Sequence, residues 1–220
     1  MRSDSLVLAS ASPRRRELLA RIHPEFIVDP CPYPEPLRRS DRTPPGSWAQ
    51  ALAYFKARAV ADRHPERWVL GADTIVACDG QILGKPIDLD DARRMLTLQA
   101  GRPSDVITGI CLVRRGAHRQ RLTHVEVTQV WMRDDVAVRE AYLDTGDWEG
   151  KAGAYGIQDV GDRLVTRIAG SFSNVVGLPL ERTATTLRAA GLSVVAGVVE
   201  PPWSPAQDAL PDVASHEGSA

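Results

Sequence analysis

The chain has no apolar run approaching the ~18 residues that a membrane-spanning helix needs, and its 220 residues carry a formal net charge of only −1. The first absence argues against a transmembrane segment. The second leaves no global field to draw in nucleic acid or an acidic membrane, so affinity for phosphate must come from a local cluster of basic groups. Cysteine is scarce as well: Cys31, Cys78 and Cys111 are odd in number, far apart and in no C-x-x-C pattern. They supply neither a zinc knuckle nor an evident disulfide framework, and a reducing cytoplasm is the expected compartment. The histidines His23, His64, His118, His124 and His216 form no H-E-x-x-H set, which sets a histidine metal site aside. A P-loop and a G-x-G-x-x-G turn are both missing, so the usual ATPase and dinucleotide folds are not indicated. No G-x-S-x-G points to a serine hydrolase. The apolar stretch at residues 6–9 falls short of the ~7 residues of a signal-peptide core and reads as a first β-strand.

What is present is an ordinary globular composition, 43% hydrophobic and 25% charged. The length suits one domain of two lobes. We place that domain at residues 1–200 and a flexible tail, rich in Pro, Ser, Asp and Ala, at 201–220. Strands and helices alternate. Strands are expected at 6–10, 26–28, 69–78, 81–83, 106–113, 122–131, 164–168 and 194–199. Asp79-Gly80 is a two-residue hairpin turn. Helices are expected to open at Ser12-Pro13, at the capping box Ser47–Gln50, at Asp88, at Asp134 or Asp135, and near Leu178. Residues 29–45 hold six prolines and read as an irregular loop. The hairpin and the long pair at 106–131 break a purely parallel order, so the fold class is α/β with a mixed sheet.

Four segments carry chemistry. Ser10-Ala11-Ser12-Pro13-Arg14-Arg15-Arg16 runs a strand into a helix start. Arginine is the wrong charge for a helix N-terminus, at a cost of roughly 0.3–1 kcal/mol each. Either the arginines form a solvated face, or an anion sits among the N–H groups, hydroxyls and guanidinium groups. Lys56 shares a helical stripe with Leu52, Ala59 and Val60; it either snorkels to water or points into a cleft. Asp73 stands inside the β-branched run Leu70-Gly71-Ala72-Asp73-Thr74-Ile75-Val76. Strands disfavour aspartate, so this one is either tied to backbone N–H groups or chemically active, as metal ligand or proton acceptor. Lys85 follows twelve residues later in Gly84-Lys85-Pro86, near enough across the hairpin to share a site. Last come Lys151-Ala152-Gly153-Ala154-Tyr155-Gly156-Ile157-Gln158 and the run at 170–179. These are either connectors or a shaped wall in which Gln158 reads a base edge or orients a phosphate.

Taken together and in this order, S-x-S-P-R-R, K-A-R, G-A-D-T, G-K-P, K-A-G-A-Y-G-I-Q and V-V-G-L-P resemble the Maf family of nucleotide pyrophosphatases, over residues 6–180. The resemblance implies a mixed twisted sheet with flanking helices, two lobes around a deep cleft as in inosine-triphosphatase-like proteins, and often a homodimer. It implies hydrolysis of a nucleoside triphosphate to the monophosphate and pyrophosphate, and the K-A-G-A-Y-G-I-Q form resembles the branch acting on dTTP and UTP. By the same resemblance Asp73 is the general base, and Arg14, Lys56 and Lys85 are phosphate-binding cations. Glu35 joins Asp73 in binding Mg²⁺ or Mn²⁺. Arg14, Thr74 and Gln158 bear on base choice, and Ser10, Ser12 and Arg15 complete the substrate cradle. Tyr54-Phe55 departs from the family, which often has charged residues there. The competing readings are a nucleotide-sensing regulator that has kept the pocket, and a pyrophosphatase preferring 7-methyl-GTP or ITP.

Overall fold

Apolar runs too short for helices form the centre of the molecule. A computed structural model describes residues 6–35, 43–116, 119–158, 163–198, 200–201 and 203–204. Strand β1 (Leu6–Leu8) is buried throughout and is flanked in parallel by β2 (Phe26–Val28) and by the first residues of β3 (Trp68–Cys78). Both faces are covered there, which is why its sequence shows no polar alternation. Asp79 and Gly80, with φ of 49° and 72°, turn β3 into β4 (Gln81–Leu83), the left-handed pair that a two-residue hairpin demands. Beyond β3 the order continues antiparallel through β5 (Pro103–Arg114), β6 (Gln120–Met132) and β7 (Val165–Ala169). The result is a seven-stranded mixed sheet, β2-β1-β3-β5-β6-β7, with β4 on the end of β3.

One face carries α2 (Pro45–Ala61), whose Ala53, Ala57, Val60 and Ala61 cover Val7, Val69, Cys111 and Val113. The opposite face holds the larger core, shared by α1 (Pro13–Ile22), α3 (Leu89–Gln99), α4 (Val136–Asp144) and α6 (Leu180–Ala189). The helix starts at Ser12, Asp88 and Asp135 are side-chain caps, each accepting from the backbone N–H three residues on.

Three expectations are corrected. The capping box at Ser47–Gln50 is not used, because α2 begins earlier, with Pro44 at its cap and Pro45 in its first turn; a proline there is already set to helical φ. A short helix, α5 (Phe172–Val176), precedes α6. Five residues are too few for helical periodicity to register. The strand expected at 194–199 is absent among the described residues. Val195 instead donates its N–H to the Ile22 carbonyl at the end of α1. An apolar alternation cannot reveal whether its backbone will meet a strand edge or the orphan carbonyl of a helix. Of the expected tail, 202 and 205–220 lie outside the described residues, while Trp203 packs against the core.

The sheet is split at β3. Leu70 is the last β3 residue paired with β1, and pairing with β4 begins at Val76. Between them, residues 71–75 are paired on the β5 side, over a gap of about 16 Å at ~3.3 Å per residue. Elements around β1 and α1 lie to one side of this gap, and those around β4, α3 and α4 to the other. The two lobes therefore meet over the middle of β3.

Two glycines let α2 lie against this region. A Cβ on Gly71 would sit 2.2 Å from the Ala53 carbonyl oxygen and 2.7 Å from the Ala57 nitrogen; one on Gly109 would sit 2.4 Å from the Ala49 carbonyl carbon. The obstructing atoms are helix backbone and cannot yield locally. Gly71→Ala is therefore expected to cost about 3 kcal/mol, the upper end of the usual overpacking range. Urea denaturation checks this, and an unchanged midpoint would contradict the close packing of α2.

Candidate active site

Side chains alternate along β3, and that alternation organises the cleft. Asp73 points to the face covered by α2, where Lys56 Nζ lies 2.5 Å from its Oδ1 and 2.7 Å from Glu35 Oε1. The lysine and aspartate side chains are 12% and 8% exposed, so this is a largely desolvated pair. Lys56 does not snorkel to water. The close seat of α2 on Gly71 and Gly109 brings it over the strand.

Thr74 points the other way. Its hydroxyl accepts from Arg15 Nη2 at 3.1 Å and lies 2.9 Å from Thr108 Oγ1, which donates to the Asn174 carbonyl at 3.3 Å. Arg15 also donates through Nε to the Gly177 carbonyl at 2.9 Å and through Nη1 to Ser10 Oγ at 3.4 Å. Gly177, with φ of 125°, closes α5 and turns its carbonyl to this use.

The charge states follow from these surroundings. Burial pushes the Asp73 carboxyl above its usual range; the charges of Lys56 and Arg15 oppose this, and Glu35 adds to it. At Glu35 burial also raises, but the hydrogen bond and charge of Lys56, with help from Lys85 and Arg15, outweigh it and leave the pKa lowered. Arg15 is lowered by burial, against the pull of Asp73 and Glu35. Two carboxylates thus converge on one cationic position. Hard oxygen donors of this kind suit Mg²⁺ or Mn²⁺, which bind through one or two carboxylates and take waters and phosphates for the rest. Among the described residues no cluster of three or more acidic, histidine or cysteine side chains that could hold a metal ion occurs; Glu35 and Asp73 are the two carboxylates that meet at Lys56.

These groups line one cavity of about 760 Å³. Its wall includes Ser12, Arg14, Arg15, Glu35, Lys56, Asp73, Thr74, Lys85 and Gln158, so the residues singled out in separate segments share one space. Ser10 is the exception. It is buried off the wall, and its hydroxyl supports Arg15 and the Ser12 N–H. Arg16 is exposed, since consecutive helical residues cannot all face one way. Lys151, in the segment expected as connector or wall, also lines the cavity, as do Glu17 and Trp48, which the sequence did not single out. Trp48, Leu52 and Lys56 follow i, i+4, i+8, a helical stripe that could have been extended to the tryptophan. Tyr54, part of the family departure, instead faces Arg121, whose guanidinium carbon stands 5.0 Å from the ring centroid.

An open α/β sheet, split over a cation-lined pocket with a buried carboxylate at its floor, is the architecture of a protein that binds a polyanion such as a polyphosphate. The comparisons refine that class. A family model described as Maf-like protein matches residues 5–190, and the chain belongs to this family. A dTTP/UTP pyrophosphatase of Moorella thermoacetica is 44% identical over 191 residues, covering 87% of this chain and 97% of that protein. One from Cereibacter sphaeroides is 48% identical over 193 residues, covering 86% and 96%. Among solved structures, a HAM1 protein from Coxiella burnetii shares the fold, with a TM-score of 0.50 and 15% identity over 84% of this chain and 98% of that one.

The Asp73 shift has a direct test. Lys56→Met removes the strongest opposing cation, so the Asp73 pKa is expected to rise further, as followed by ¹³C NMR of its carboxyl. Because the folded value lies above the usual 3.8, folding favours the protonated carboxyl. The stability it lends is full below about 3.8 and is lost as pH climbs through the folded value. Lys56→Met should therefore lose more stability than the parent protein over that rise, and a lowered Asp73 pKa in the variant would contradict the assignment.

Proposed function

We propose that this chain hydrolyses dTTP and UTP to the monophosphate and pyrophosphate. The observation that carries the reading is the convergence of Asp73, Lys56 and Glu35 with Arg14, Arg15 and Lys85 in a single cleft. The names of relatives 40–48% identical over more than four-fifths of the chain support it.

Phosphoryl transfer asks a protein mainly to position groups and to stabilise charge. Asp73 is the proton acceptor. Lys56 fixes its Oδ1, orienting the carboxylate toward a water directed at the α-phosphorus. The oxygen–phosphorus bond forms to that water, its proton passes to Asp73, and the bond from the α-phosphorus to the bridging oxygen of the β-phosphate breaks. A carboxyl raised by burial holds that proton better than an exposed one, which favours base catalysis near neutral pH. Arg14, Lys56 and Lys85 stabilise the negative charge that builds on the departing pyrophosphate. Glu35 and Asp73 would hold a Mg²⁺ or Mn²⁺ ion, which when bound neutralises triphosphate oxygens. Gln158, exposed on the cleft wall, carries both donors and acceptors for a base edge. Thr74 is engaged with Arg15 and Thr108 and acts on base choice by holding Arg15 in place.

Pyrophosphate release is expected to be fastest with dTTP and UTP in a panel that adds CTP, 7-methyl-GTP and ITP; a flat profile, or no release at all, argues for another base preference or for a sensor. Chelation with EDTA should abolish turnover, and Mg²⁺ or Mn²⁺ should restore it. Asp73→Asn should lower kcat by at least ~100-fold, the lower scale of acid–base catalysis, with its circular dichroism unchanged. Near-normal turnover in that variant rules out Asp73 as the base.

A further inference from the structure

The family match ends at residue 190, but the chain does not leave the molecule there. Ser193 O lies 2.7 Å from His23 Nδ1, and the Val195 N–H donates to Ile22 O at 2.9 Å, tying this segment to the end of α1. Val194, Val198 and Trp203 pack against the core. Between them, Glu200 reaches the start of α5. Its Oε1 accepts from the Ser171 and Ser173 hydroxyls at 2.8 and 2.7 Å, and its Oε2 accepts from the Ser173 N–H at 2.8 Å. One carboxylate thus takes three donors from two residues, each a charge-assisted bond. Ser173 is fully buried, and its hydroxyl in turn accepts from the Leu180 N–H at 2.9 Å.

The helix held in this way supports Arg15 by two routes. At its C-terminal end the Gly177 carbonyl accepts from Arg15 Nε. At its middle the Asn174 carbonyl accepts from Thr108, whose hydroxyl meets Thr74, which accepts from Arg15 Nη2. Meanwhile α1, which carries Arg14 and Arg15, is the helix whose end the same C-terminal segment grips.

We propose that Glu200 is a positioning residue of the cleft. It fixes α5, so that Gly177 and Asn174 hold the Arg15 guanidinium in the geometry that meets the triphosphate, and the segment following the family domain thereby sets nucleotide affinity. The proposal rests on the nucleotide-hydrolase reading of the same cleft.

Glu200→Gln tests it. The variant keeps the size of the side chain but turns an NH₂ donor toward groups that are themselves donors. Affinity is read by calorimetry with the α,β-imido analogue of dUTP, which cannot be cleaved at the α–β bridge, alongside the thermal midpoint. Binding is expected to weaken about tenfold, the scale of one charge-assisted hydrogen bond. Because the effect runs through Arg15, Glu200→Gln should add little to the loss caused by Arg15→Lys, whose single ammonium cannot fork to Gly177 and Thr74 together. Ser171→Ala, which deletes one of the three donors, should give the same affinity loss in weaker form and provides the reading should E200Q fail to fold. Unchanged affinity with a lowered midpoint, or fully additive losses in the double variant, overturns the proposal, as does a parent chain that does not bind the analogue. A parent chain that binds it but releases no pyrophosphate from dTTP or UTP counts against the hydrolase reading alone.

Discussion

A carboxylate halfway along a buried strand is expensive, and the contact between Lys56 and Asp73 is what makes it tolerable. Removing one member of such a pair typically costs about 3–5 kcal/mol, because the other is left charged and unpaired. The pairing requires α2 to lie almost on the backbone of β3 and β5, and that requires glycine at 71 and 109. It also requires a strand open on one side at Asp73, which the gap between β1 and β4 supplies. Strand, helix and cleft are thus arranged around one ion pair, and the groups that satisfy the buried acid are those available for chemistry.

Among the described residues the cleft is lined by more cations, Arg14, Arg15, Lys56, Lys85 and Lys151, than carboxylates, Glu17, Glu35 and Asp73. Two of the arginines stand in the first turn of α1, where the helix field already favours an anion. A bound polyphosphate would relieve both conflicts. The two faces of β3 carry separate networks: the Asp73–Lys56 ion pair lies on the α2 side, while Thr74 and the Gly177 carbonyl at the end of α5 hold Arg15 on the other. The C-terminal segment joins that second network through Glu200, so residues past the family domain touch the support of the site without lining it.

Much of this was legible beforehand, for local reasons. Caps at Ser12, Asp88 and Asp135, the Asp79-Gly80 turn and the long antiparallel pair are set by neighbours within a few residues. The existence of α5 and the fate of residues 194–198 were not, because each depends on what the backbone meets in space: a glutamate from a distant segment, a carbonyl at a helix end. The early start of α2 has a local cause, Pro45 already set to helical φ, which competes with the equally local capping box at Ser47. The family resemblance puts Ser10 in the substrate cradle, yet Ser10 is buried off the cavity wall, where its hydroxyl accepts from Arg15.

By itself, then, the sequence determined the element types, the mixed sheet and which side chains were out of place for their element: arginines at a helix start, a lysine on an apolar stripe, an aspartate in a strand. Those anomalies are local conflicts, and local propensities suffice to expose them. Only the tertiary structure decided that Lys56 turns inward, that Asp73 and Thr74 serve opposite faces of one strand, and that Arg15 is held by the Gly177 carbonyl at the end of α5. These outcomes depend on close approach between residues far apart in the chain, a distance set by packing against glycines and not by any pattern along the sequence.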